Sequence, residues 1–374
     1  MRRTLRLTLE YDGAGFSGWA RQPGRRTIED TLSRALDDLW PGSSASLAVA
    51  GRTDAGVHAS QQVVSAVVEG GPPPDRTGDA LRAVLPSDLA VVSARDAIPG
   101  FHARFSALAR CYEYRVLTRR ARAPLRAARS LHHATPLDRD LLAACASLTV
   151  GDHDFAAFRP AETPGERTHR HVVSCDWRDE GDEVVMTIEA DAFLHHMART
   201  LVGTMLEVAR GARDLASFAA LLDGAPREAA GVTAPPHALT LTGVRYAGDG
   251  PGDDRVRCFV TRDVSGRREL LVRASRGPGP TVPEGPFDDE ERVDSAACRA
   301  VRAGAGVELA SIPRPLGLVL GATGGCRTRL AWLQAPEGLP DSFAHDGAAW
   351  RFAALDELEL PRQAVLLRRL AAAV

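Results

Sequence analysis

The sequence predicts an α/β (α+β) chain of two similar halves followed by a smaller α/β domain. Three observations lead there. Residues 1–106 and 107–247 each run as strand, helix, strands and helix, with short alternating segments suited to antiparallel pairing. A Gly/Asp/Pro-rich run at 248–256 reads as a linker. Residues 257–374 then carry a strand pattern and a helix of their own. At 374 residues, 44% hydrophobic and 25% charged, the chain has room for two or three globular domains.

The elements follow in order. Thr4 to Glu10 alternates, with Leu5, Leu7 and Leu9 on one face, as a half-buried strand does. Tyr11-Asp12-Gly13-Ala14-Gly15-Phe16-Ser17-Gly18-Trp19 is a glycine-rich loop between aromatics. Thr27 caps a helix whose stripe is Ile28, Leu32, Ala35, Leu36 and Leu39. Short strands are expected at 46–49 and 62–68, a helix at 79–85 and a buried strand at 89–93. In the second half, Cys111 to Val116 alternates, a helix lies near 138–148, and 172–177 with 183–190 form a hairpin. Arg167, His169, Arg170 and His171 precede that hairpin. A long helix is expected from about Phe193 to Arg210, ended by Gly211. A last strand runs from Leu239 to Tyr246.

Composition narrows the function. The amino terminus lacks the apolar core of a signal peptide, and no run is long enough for a membrane-spanning helix. Six cysteines at 111, 145, 175, 258, 298 and 326 lie far apart without a Cys-x-x-Cys, so neither a zinc site nor a disulfide framework is expected. Reduced thiols point to the cytoplasm. Net charge is −2, yet residues 110–129 hold seven arginines (110, 115, 119, 120, 122, 126, 129) against the single acid Glu113. All 46 basic residues are arginine, each a planar fork suited to phosphate.

The chemistry centres on Ala50-Gly51-Arg52-Thr53-Asp54-Ala55-Gly56-Val57-His58-Ala59, set between two strand patterns. The glycines permit positive φ or close approach, and the loop aims Asp54 outward. A lone Asp-x-Gly would be an ordinary turn. The adjacent His195 and His196 invite a metal reading, but neighbouring helical residues point about 100° apart. No carboxylate or cysteine accompanies them at ligand spacing, so no metal is expected.

Read whole, Gly-Arg-Thr-Asp-Ala-Gly-Val-His-Ala resembles the motif of the TruA family of tRNA pseudouridine synthases, and Tyr11–Trp19, 101–107, 111–116 and 192–199 resemble further family segments. The resemblance spans 4–247 in order. It implies two α/β halves sharing an antiparallel sheet across a central RNA cleft. It makes Asp54 the catalytic carboxylate, with Arg52 pairing with it and holding a flipped nucleotide, and Tyr112 stacking on the target base. Arg159, His195, Arg199 and Leu239 would contact substrate, with Arg119, Arg120 and Arg122 gripping phosphates. The substrate would be tRNA at positions 38 to 40 of the anticodon arm, the enzyme a homodimer, and the isomerisation would need no cofactor. Glu29, Thr200 and Ala238 depart from residues common in the family. Rival readings are an RNA-binding protein without the reaction, and a synthase acting on another RNA or a free nucleotide.

In the last domain, Arg257–Thr261 and Glu269–Arg273 read as a hairpin. Gly285-x5-Glu291-x7-Arg299-x-Val301-x4-Gly306-Val307 resembles a Nudix box in spacing, and 350–358 resembles that fold's closing segment. The family's helix carboxylates are missing: the run is Arg299-Ala300-Val301-Arg302-Ala303-Gly304. Clustered carboxylates are what hold magnesium against a diphosphate. Glu291 remains, with Asp288, Asp289 and Glu290 beside it. The resemblance therefore implies a Nudix-like domain without hydrolase activity, the alternative being a bifunctional chain with nucleoside-diphosphate hydrolysis in the tail.

Overall fold

The computed structural model describes residues 2–41, 46–98, 100–161, 168–247, 255–264, 267–273, 282–286, 291–309, 314–320, 327–336, 339–346 and 348–354. The chain divides into two compact units, Met1–Arg245 and Tyr246–Val374.

The first half of the first unit comprises β1 (Arg2–Tyr11), α1 (Ile28–Leu39), β2 (Ser46–Val49), β3 (His58–Glu69), α2 (Pro74–Val84) and β4 (Leu89–Asp96). The second comprises β5 (Ala109–Leu117), β6 (Leu131–His132), α3 (Arg139–Thr149), β7 (Gly151–Asp154), β8 (His169–Glu180), β9 (Glu183–Ala190), α4 (Met197–Ala209), α5 (Leu215–Ala220) and β10 (Leu239–Arg245). Among the described residues, ten strands make one sheet in the order β4-β1-β3-β10-β5-β9-β8-β7, with β2 on β3 and β6 on β5. The main ladder is antiparallel except where the halves join: β10 runs parallel to β3, with Thr240 opposite His58 and Leu241 opposite Ala59. That junction sets the loop before β3 beside the start of β10.

Local chemistry accounts for the elements. Leu5, Leu7 and Leu9 are fully buried on one face of β1. Thr27 Oγ1 accepts the Asp30 N–H at 3.3 Å, a cap contributing about 1 kcal/mol, and Ile28, Leu32, Ala35 and Leu36 bury the stripe of α1. Asp138 caps α3 in the same way, through the Leu141 N–H.

Several expectations shift. β3 begins at His58, four residues early, and His169–His171 lie within β8 rather than before the hairpin. β4 is an edge strand rather than a buried one: Leu89 and Val91 are inside while Val92 faces out. α2 begins at Pro74, five residues early, because proline suits a first helical turn that needs no N–H partner. α4 begins at Met197 instead of Phe193, because His196 takes a left-handed conformation with φ 62°. Once started, α4 is buried on nearly every side. At Gly203 a Cβ would lie 1.8 Å from the Val232 carbonyl oxygen, so the 231–234 segment packs backbone to backbone on this helix.

The second unit holds β11 (Arg255–Val264), β12 (Arg267–Arg273), β13 (Glu284–Pro286), α6 (Val293–Ala305), β14 (Arg314–Leu320), β15 (Arg327–Gln334), β16 (Ser342–His345) and β17 (Ala348–Ala354). The expected hairpin is β11 with β12. The sheet order is β14-β15-β11-β12-β17-β16, and α6 lays Ala296, Ala297, Ala300 and Val301 on a core with Cys258, Val260, Leu271 and Trp350. Ala300 is therefore a core position, where a carboxylate would be buried. Glu291 is engaged by Arg299 at 2.6 Å. Asp288, Asp289, Glu290, Cys326 and the end of the 350–358 segment lie outside the described residues.

Candidate active site

The Asp54 loop is held from both sides. Ala50 N–H donates to Val63 at 2.9 Å, and the Gln62 side-chain amide donates to the Gly51 carbonyl at 2.7 Å. Trp19 N–H donates to the Thr53 carbonyl at 3.0 Å, so the aromatic glycine loop near the amino terminus clamps the motif. Val57 N–H closes a four-residue turn on the Asp54 carbonyl at 3.1 Å, with Gly56 at φ 80°, where glycine carries no steric cost. Beneath it Tyr11 Oη lies 2.8 Å from Thr53 Oγ1. Burial pushes the Tyr11 phenol up to about 12, against the hydrogen bonds to Thr53 and Gln62, so it stays protonated.

The other half supplies Asp54's partners. Arg199 Nη1 donates to Asp54 Oδ2 at 2.8 Å, and Arg199 Nε donates to the Ala234 carbonyl at 2.8 Å. The guanidinium paired with Asp54 is thus Arg199, not Arg52 as the resemblance implied. Arg52 is exposed at the cleft, and its side chain has no hydrogen bond or ion pair among the described residues. His195 Nε2 is 3.4 Å from Asp54 Oδ1 and His196 Nε2 is 3.6 Å from Oδ2. The turn at His196 stacks the two rings, centroids 3.9 Å apart, in place of the splayed helical pair. Burial holds His196 below the ordinary histidine pKa; Asp54 opposes this, while His195, Arg199 and Arg227 add to it. A neutral imidazole beside the carboxylate can accept a proton.

A carboxylate does therefore accompany the histidine pair, brought by the fold from the other half. Ligand atoms of Asp54, His195 and His196 lie within 4.8 Å of one another. Arg199 engages one of those carboxylate oxygens, so a cation bound there would share the carboxylate with a guanidinium of the same charge sign.

Tyr112 is buried, meets Phe193 edge-on at 4.9 Å and points toward Gly51. Burial raises its pKa, helped by Tyr11 and Asp54, so it is a neutral phenol at the cleft wall. Leu239 is buried at the start of β10, opposite Tyr114, and lines the same cleft. Tyr114 donates its hydroxyl proton to the Pro235 carbonyl at 3.0 Å.

Arg110 corrects the reading of the basic stretch. It lies on the Tyr112 face of β5 and is buried. Its guanidinium donates to the carbonyls of Ala50, Arg104, Ala107 and Asp191, tying the Asp54 loop to segments on both sides of the cleft. Other arginines of the stretch are neutralised by Glu113 on the same strand and by acids near the β8–β9 turn. Arg115 meets Glu113, Glu180 and Glu183, and Arg126 is bidentate on Asp182 at 2.5 and 2.7 Å. Arg119 is held by Asp182 and two local carbonyls, whereas Arg120 and Arg122 stand exposed, without side-chain partners among the described residues. None of these three lines the cleft, nor does Arg159, which is half-buried after a short turn at 156–158. Arg167 lies outside the described residues.

The cleft has a volume of about 1040 Å³. Arg25, Arg52, Arg104, Arg110, Arg170 and Arg199 line it, against the acids Glu29 and Asp54. Such an excess of cations attracts a polyanion to the cleft.

The family described as tRNA pseudouridine synthase matches residues 8–106 and 145–247. A tRNA pseudouridine synthase A of Methylobacterium sp. (strain 4-46) is 42% identical over 247 residues, covering 66% of this chain and 98% of its own length. One of Frankia casuarinae is 44% identical over 264 residues, 70% of this chain and 94% of its own. Among solved structures, a C. elegans Ap4A hydrolase is 21% identical, covers 32% of this chain and 97% of its own, with a TM-score of 0.25. The NUDIX domain of Shewanella oneidensis NrtR in complex with ADP ribose is 15% identical, covers 32% and 86%, with a TM-score of 0.23.

Proposed function

The chain belongs to the tRNA pseudouridine synthase family, and from that premise we propose that Asp54 is the catalytic carboxylate with which it isomerises uridine to pseudouridine in tRNA. The observation that carries this is a partly buried carboxylate at the start of a tight turn, paired with Arg199, inside a cleft lined by six arginines.

The reaction breaks the C1′–N1 bond, turns the base and joins C5 to C1′. The C5 hydrogen leaves as a proton, N1 gains one, and no atom is oxidised or lost. The uridine must first leave its stack and enter the cleft. A carboxylate can act as a nucleophile through a covalent intermediate that divides one difficult step into two. Arg199, donating to Asp54 Oδ2, orients the carboxylate for that attack. Once released, Asp54 can take the C5 proton. Tyr112 and Leu239 form the apolar wall against which the turned base rests. Arg52, with its fork unengaged, holds a substrate phosphate at the cleft mouth.

The tRNA site is the anticodon arm at positions 38 to 40, and the protein acts as a cytoplasmic homodimer. The family resemblance of residues 4–247 supports both statements. The second unit is a Nudix-like domain without hydrolase activity, supported by buried Ala300 and by the pairing of Glu291 with Arg299.

The test uses tRNA transcripts tritiated at uridine C5. The full chain should release tritium and leave pseudouridine in the anticodon arm. Release with pseudouridine elsewhere would overturn the assigned positions, and no release would overturn the reaction.

A further inference from the structure

We propose that Phe105 is a stacking platform for a substrate base other than the target uridine. The inference rests on the RNA substrate argued above.

Phe105 is a large aromatic at the cleft with 47% of its surface exposed. An exposed phenyl forgoes burial worth about 25 cal/mol per Å² of apolar surface, so its position is not explained by core packing. It is also rigidly held. His102 Nδ1 accepts the N–H groups of Arg104 at 3.2 Å and Phe105 at 3.3 Å, and Ser106 N–H donates to the His102 carbonyl at 2.8 Å. The His102 ring lies against the phenyl, centroids 4.4 Å apart at 30°. Arg110 Nη2 fixes the same turn through the Arg104 carbonyl at 2.8 Å, so the guanidinium that ties down the Asp54 loop also sets Phe105.

The surroundings choose the occupant. The Arg104 guanidinium carbon is 5.8 Å from the phenyl centroid, and exposed Arg25 and Arg52 line the same cleft. A fixed aromatic face among cations suits a nucleobase whose phosphates the arginines meet, and stacking of this kind tolerates any base. It does not suit an apolar protein surface, which would bury those arginines without partners. A protein whose target base is flipped leaves a gap in the RNA stack, and a platform at the rim compensates a neighbouring base for its lost contact.

The experiment compares the full-length protein with Phe105→Ala, Phe105→Leu and Phe105→Trp on tRNA. Dissociation constants and steady-state tritium release are measured, and 2-aminopurine is placed at successive positions of the anticodon arm. Phe105→Ala should raise Kd and KM by about 5- to 150-fold, the cost of one lost base stack, with kcat unchanged. Phe105→Leu keeps apolar bulk without a π-face and should behave like the alanine variant, while Phe105→Trp should restore affinity. One non-target position should be quenched by wild type and not by Phe105→Ala. Unchanged Kd and KM would overturn the proposal. So would a loss that tryptophan does not restore or leucine does restore, or a change in oligomeric mass with tRNA affinity intact. If wild type made no pseudouridine yet its tRNA binding followed this pattern, the catalytic reading would fail and the platform would stand.

Discussion

Arg199 and Asp54 are 145 positions apart in sequence, and their side chains meet at 2.8 Å. The contact crosses the junction of β3 and β10, so the two halves must be docked before the carboxylate has its partner. The same guanidinium reaches Ala234, which makes Arg199 a strut between the Asp54 loop and the segment before β10.

Removing that strut should cost activity. Arg199→Met should lower kcat/KM by about 10- to 150-fold, the equivalent of one charge-assisted hydrogen bond. Arg199→Lys should recover only part, because an ammonium lacks the planar fork that serves both Asp54 and Ala234. Kinetics of the two variants on tRNA check this, and equal activity of Met and Lys variants would count against the pairing.

Gly203 bears on the same strut. Its missing Cβ leaves room for the Val232 carbonyl, so Gly203→Ala must push the 231–234 segment off α4. Overpacking of this kind costs about 1–3 kcal/mol. Urea unfolding should show a lower midpoint, with activity falling as Ala234 moves from Arg199. A variant with both unchanged would contradict the tight contact.

His196 should make the fold acid-sensitive. Its folded pKa is depressed, chiefly by burial, so on acidification the unfolded chain takes up this proton first. The contribution is complete above about pH 6.5, the unfolded value, and is lost as pH falls through the folded one. His196→Asn keeps a residue that tolerates left-handed φ and removes the titration. Melting temperature followed from pH 7.5 to 5 should drop more steeply for wild type than for His196→Asn. Parallel curves would contradict the assignment.

A chain ending at Ala247 should keep modifying tRNA. The Methylobacterium relative is matched over 98% of its own length by only 247 residues, so homologous activity does not require the tail. The full-length protein should show no magnesium-dependent hydrolysis across nucleoside diphosphate derivatives. Hydrolysis that survives Asp54→Ala and disappears with the tail would assign the chain a second activity.

Much of this was readable from the sequence, and the exceptions share a cause. Asp54 stands out because nine consecutive residues carry its loop chemistry, and Leu5, Leu7 and Leu9 announce their strand by alternation. Arg199 as partner does not, since only β3–β10 pairing brings it there. Glu113 is an adjacent partner of Arg115, but the rest of the neutralisation of Arg115, Arg119 and Arg126 is hidden because those acids come from 180–183 on a neighbouring hairpin. Arg110 is legible in the sequence: it shares the period-two face of Tyr112, Tyr114 and Val116, all buried, although it opens a run of arginines suited to phosphate. The left-handed turn at His196 follows from no local rule, and it decides where both histidines point.

The most direct test of the account is Asp54→Asn, which keeps the loop's shape and removes the carboxylate. Thermal melting and tRNA affinity establish that the variant folds and binds, and tritium release from uridine C5 reads the reaction. The account predicts intact folding and binding with no release and no pseudouridine. Measurable turnover by protein verified to carry asparagine at this position, with no deamidation back to aspartate, would contradict it.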